Sequence, residues 1–134
     1  MANFADAAGR HWVDGLVLES EARTENADQL FGIAAECAIK AALMMSATHI
    51  TAGTLSKTYR THIDELWDRI SANALPKHLR SLPPLLRMEN PYTDWSIEQR
   101  YGDSGVVSAE ALERHKSMAK RLISAVGIVG HRSK

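Results

Sequence analysis

Cysteine is almost missing from this chain of 134 residues, which carries Cys37 alone. A single thiol excludes an internal disulfide. There is no cysteine pair and no HExxH pattern, so the usual zinc arrangements are missing, and no glycine-rich phosphate loop occurs. The six histidines (His11, His49, His62, His78, His115 and His131) are scattered, and no two stand three or four residues apart. A helical metal site therefore has no support, and neither metal nor cofactor is expected. Long apolar runs are missing too. Glu36 and Lys40 interrupt the longest candidate, leaving no stretch of about 18 apolar residues to cross a bilayer. The opening MANFADAAGRHW has no basic segment followed by an apolar core, so no signal peptide and no membrane association are expected. The expected compartment is the cytoplasm, where Cys37 serves as a small buried hydrophobe.

Net charge is zero in total but uneven along the chain. Residues 1–46 carry three basic and seven acidic side chains, residues 47–110 seven and eight, and residues 111–134 six and one. The basic C-terminal segment has two readings: it meets phosphate or an acidic partner, or it lies beside an acidic helix of its own fold.

What is present is helical periodicity. Residues 26–46 are free of proline, and Leu30, Ala34, Cys37, Ala41 and Met44 recur at spacings of three and four. Asn26 is the expected N-cap, and Asp28 places negative charge in the first turn, where the helix dipole favours it. The alanine-rich stripe lets a neighbour approach closely, so this segment is expected to be the central helix of a small bundle. An earlier helix is expected over residues 4–22, anchored by Trp12, and a three-residue link makes the two an antiparallel hairpin. A third helix is expected over residues 57–72. Proline then breaks regularity across residues 73–94, apart from one helical turn at 77–82. In PYTDWSIEQRY, Trp95 and Tyr101 are expected to tie a crossover to the bundle. The last helix is expected to begin at Ser108, bury Leu112, His115, Ala119, Ile123 and Val126, and end at Gly127 and Gly130. The fold class is all-α: one domain, an up-and-down bundle of four to five helices with its core over residues 4–127 and no strand needed.

Candidate chemistry is sparse. Glu36 and Lys40 stand four apart in the favourable order; they either brace the helix or orient a ligand or an RNA phosphate at a polar seam. Arg100 and Tyr101 either tie the crossover to a carboxylate such as Glu36 or offer a fork-shaped phosphate clamp. His115 and His62 read first as hydrogen-bonded interior histidines. As a catalyst, His115 beside Arg114 would have to face a cleft.

Two patterns together resemble the HEPN superfamily of small α-helical proteins. One is the N-terminal hairpin with His11-Trp12, Ala22-Arg23, Asn26-Ala27, Leu30, Gly32 and Ala34-Ala35-Glu36-Cys37-Ala38-Ile39-Lys40-Ala41. The other is Trp95-Ser-Ile-Glu-Gln-Arg100-Tyr101 before the last long helix. The resemblance spans about residues 4–127. It implies a helical bundle that dimerises and binds RNA or a nucleotide. It also implies either a metal-independent endoribonuclease of toxin–antitoxin and phage-defence systems or a non-catalytic partner of a nucleotidyltransferase. The family's ribonucleases use an arginine followed, after four to six residues, by a histidine. Here Arg69 to His78 spans eight intervening residues, Arg121 to His131 spans nine, and Arg10-His11 and Arg114-His115 are adjacent. The ribonuclease residues therefore do not transfer. The expectation is a binding or partner module lacking that site. The alternatives are an RNA-cleaving toxin with a displaced site at Arg100, Tyr101, Arg114 and His115, and a purely structural dimerising protein.

Overall fold

The computed structural model describes residues 2–128; Gly130 and His131, named above, lie outside them. The protein is an all-α single domain, with five helices among the described residues: α1 (Phe4–Ser20), α2 (Thr24–Leu43), α3 (Ile63–Arg69), α4 (Leu82–Leu86) and α5 (Ala109–Val126). Short 3-10 turns and one minute hairpin, β1 (Ile50–Thr51) with β2 (Thr54–Leu55), join them. Among the described residues no helix is long and apolar enough to cross a membrane.

α2 is the centre. From Phe31 to Leu43 nearly every residue is buried, because α1 and α5 both pack along it. The expected stripe captures only part of this: Leu30 and Met44 are half-buried, while Phe31, Ala35, Ala38, Ile39 and Ala42 are fully enclosed. Small side chains make this possible. A Cβ on Gly15 would approach the Phe31 ring to 2.6 Å, and one on Gly32 would fall inside the Trp95 indole. These two glycines serve close approach rather than backbone freedom.

The α1–α2 link is a Schellman turn. The N–H of Arg23 donates to the carbonyl of Leu18 and the N–H of Ala22 to that of Glu19, with Ala22 left-handed at φ 60°. α1 consequently stops at Ser20, and α2 starts at Thr24 behind Arg23. Asn26 is therefore not the N-cap; it lies inside the first turn, and no side chain caps α2. α5 ends in the same motif, but there Gly127 occupies the left-handed position at φ 80°.

Three further expectations are corrected. The third helix runs only over Ile63–Arg69, because residues 57–59 form a 3-10 turn and His62 is extended. Of the helical turn expected at residues 77–82, only Leu82 is helical, as the first residue of α4. That helix has Pro83 and Pro84 in its first turn, where a missing N–H costs nothing. A strand pair is present after all: Ala52 and Gly53 both have positive φ and close a two-residue hairpin.

Replacing Ala22 by glycine relieves the left-handed backbone at an entropic cost in the unfolded chain, and a net gain of about 0.5–1 kcal/mol is expected. Gly32→Ala should instead cost about 1–3 kcal/mol by forcing Trp95 aside. Thermal or urea unfolding of the two variants checks both signs.

Candidate functional site

The buried stripe of α5 contains one polar residue, His115, which is 1% exposed. It points at α2, where Asp28 is fully enclosed, and at the crossover, where Asp94 comes from the loop between Pro91 and Trp95. His115 Nδ1 lies 2.7 Å from Asp28 Oδ1, and Nε2 lies 2.8 Å from Asp94 Oδ1. An ionised carboxylate can only accept, so this geometry favours the ring with a proton on both nitrogens. Burial alone would lower the pKa of His115, but the hydrogen bond and charge of Asp28, then those of Asp94, raise it. Burial would raise that of Asp94, and the bonds from Arg114 and His115 more than reverse it.

The surrounding residues hold this geometry. The Tyr92 hydroxyl donates to the His115 carbonyl at 2.9 Å, and its ring stacks on the imidazole with centroids 5.2 Å apart. The Trp95 indole N–H donates to the Asp28 carbonyl, and Gln99 Nε2 donates to Asp28 Oδ2 at 2.7 Å. Arg114 Nη1 lies 2.8 Å from each oxygen of Asp94. Two cations and two carboxylates thus balance, with Asp94 and Arg114 at the solvent edge. Asp94 lines both of two clefts. One, of about 560 Å³, is bounded by Asn90, Arg114, Ser117 and Arg121. The other, of about 430 Å³, is bounded by Ser96, Gln99, Val107 and His115.

A second polar cluster lies further along α2. Glu36 Oε2 accepts from Lys40 Nζ at 2.9 Å, and both side chains are buried rather than at the edge of a stripe. Glu36 Oε1 accepts the Ile63 backbone N–H at 3.1 Å and faces His62 Nδ1 at 3.0 Å. A carboxylate of α2 therefore caps α3, which explains why that helix begins at Ile63. His62 is not an interior histidine: about half of its side chain is exposed. Lys40 also lies over the Phe4 ring, 5.8 Å from its centroid.

Arg100 and Tyr101 stand apart from both clusters. Tyr101 is 74% exposed and ties nothing to the bundle, a task that falls to Tyr92 and Trp95. Arg100 stacks on the Tyr101 ring at 4.9 Å instead of reaching Glu36, whose oxygens are already taken by α2 and α3. Cys37 is buried beside Glu36; desolvation, then that charge, pushes its thiol up to about 12, so it is no nucleophile at neutral pH. Among the described residues no group of three His, Cys, Asp or Glu side chains is arranged so that it could hold a metal ion.

Asp28 and Asp94 are the members of the His115 cluster that sequence reasoning missed. A signal existed for the first: Asp28, Phe31 and Ala35 keep the helical spacing of the buried face, an odd place for a charge whose only role is to meet the dipole. Asp94 stands between two aromatic residues that both prove to be buried. Comparison with family models, with curated proteins and with solved structures returns no match to this chain.

The raised pKa of His115 makes its stabilisation pH-dependent. It is present in full below the unfolded value of 6.5 and is lost as pH rises through the folded value. Asp94 contributes above 3.8 and loses that contribution as pH falls through its lowered value. His11 works the other way from His115: burial, then Arg10, lowers its pKa, so its contribution holds above 6.5 and fades as pH falls. His115→Gln isolates the first effect. It should cost about 3–5 kcal/mol on the acid side of neutrality, since Asp28 is left buried with its charge uncompensated. The wild-type advantage in melting temperature should shrink steadily in alkaline buffer.

Proposed function

We propose that the chain is a HEPN-like binding or partner module without ribonuclease chemistry. One observation carries the reading: both ring nitrogens of His115 are held by carboxylates, and the ring is closed off from solvent. A general base needs a free nitrogen lone pair, and a general acid needs a proton that can reach substrate. His115 has neither. Arg114 is tied to Asp94 on both carboxylate oxygens, so its guanidinium is already neutralised where a scissile phosphate would need it. The missing Arg–His interval in the sequence points the same way.

On this reading the partners follow from the resemblance: a second copy of the chain, a nucleotidyltransferase, and RNA or a nucleotide as the bound species. The setting would be a toxin–antitoxin or phage-defence system in the cytoplasm. Two features of the fold suit a module of this kind. α2 is sealed by its neighbours, so the bundle is a rigid support, and the basic side chains of α5 are only partly neutralised within the chain.

Purified protein incubated with total RNA and tRNA, without added metal, should leave both intact. Arg114→Gln and Asp94→Asn should give the same gel pattern. Cleavage by the wild type that disappears in those variants would overturn the reading and restore a displaced ribonuclease site.

A further inference from the structure

The charge asymmetry of the sequence resolves into two surfaces. Lys116 on α5 is ion-paired with Glu19 of α1 at 2.7 Å. Among the described residues, its neighbours Lys120 and Arg121 have no carboxylate partner, and both are exposed. They flank a groove of about 600 Å³ between α4 and α5, whose floor is Pro84, Leu85 and Ala125. Arg80 and Arg87, also exposed, lie on either side of α4. The groove thus has an apolar floor and a cationic rim.

The outer face of α1 is its complement. Asp6, Arg10, Val13, Asp14, Val17 and Glu21 recur at helical spacing, and all are exposed. Val13 is 37% exposed and Val17 50%, two of the few large apolar side chains left in water. Asp14 and Glu21 stand one turn to either side of Val17; Arg10 is offset by Asp6 at 3.8 Å, and Glu21, just past the end of α1, lies 3.9 Å from the exposed Arg23. This face therefore presents an apolar ridge bordered by negative charge. From Val13 to Glu21 it runs for roughly 12 Å along the helix axis.

From this complementarity we infer that the α4–α5 groove is a docking site for α1 of a second copy of the chain. Val13 and Val17 seat against Pro84, Leu85 and Ala125, while Asp14 and Glu21 face Lys120 and Arg121. The mode is an amphipathic helix laid into an apolar groove, with the charged rim setting register and partner. Within one chain the two surfaces cannot meet, because α1 is already packed along α2. The contact joins unlike faces, so every copy offers both halves. It rests on the module reading only in giving the proposed self-association a surface.

Analytical ultracentrifugation over a concentration series tests it with two charge-reversed variants, each checked for helix content. One is Asp14→Lys with Glu21→Lys; the other is Lys120→Glu with Arg121→Glu. The wild type should self-associate, more weakly at high salt, and each variant alone should associate at least about tenfold more weakly because like charges then face each other. An equimolar mixture of the two variants should recover association, since each supplies the rim the other needs. A monomeric wild type, or variants that associate as the wild type does, would overturn the proposal. So would a monomeric wild type that binds tRNA or an acidic helical peptide through Lys120 and Arg121, reassigning the groove to nucleic acid or another protein. RNA cleavage in the assay above would sink the module reading and leave this contact standing.

Discussion

The architecture depends on one triad: the buried His115 ring held between the enclosed Asp28 and Asp94 at the solvent edge. It joins three segments that share no local contact, the start of α2, the crossover before α5, and α5 itself. Enclosing the His115 ring and the Asp28 carboxylate is costly, and the arrangement is tolerable because every polar atom facing the ring has a partner, Asp94 from the solvent edge. Gln99 and the Trp95 indole supply the donors that the Asp28 region still requires, and Arg114 supplies those of Asp94. Removing His115 or Asp28 leaves its buried partner unpaired in the core, so the pair specifies which surface of α5 faces inward more strictly than apolar packing would.

α2 organises the remainder by the same device. Its two buried carboxylates, Asp28 and Glu36, stand eight residues apart, roughly 12 Å along the axis. Asp28 fastens α5 and the crossover, and Glu36 fastens α3 through the Ile63 N–H while neutralising Lys40. The intervening alanines let α1 and α5 come close, and Gly32 admits the Trp95 indole. An alanine-rich helix gives little directional information by packing alone. Here polar anchors supply it.

The parts of the fold that were legible in the sequence are those set by local pattern. The long helices show their periodicity, and Trp12, Trp95 and the stripe of α5 fall where spacing puts them. What stayed hidden was set from a distance. The start of α3 depends on a carboxylate 27 residues earlier, so the periodicity of residues 57–72 overstated its length. Asn26 looked like a cap, but the Schellman turn at Ala22 had already begun the helix. For the candidate site, the sequence supplied His115, Arg114, Glu36 and Lys40. It did not reveal that Asp28 and Asp94 would occupy both nitrogens of His115, since those partners lie 87 and 21 residues away.

Those separations also order the folding of the chain. The α1–α2 hairpin closes through a three-residue link, whereas the Asp28–His115 bond must enclose 86 intervening residues. Loop-closure entropy makes the hairpin the cheap early event and the triad a late one. The crossover and α5 meet across only the 20 residues between Asp94 and His115, so the seating of this pair on α2 through Asp28 is the last native contact to form. In reverse, that seam between α5 and α2 opens before the α1–α2 hairpin does.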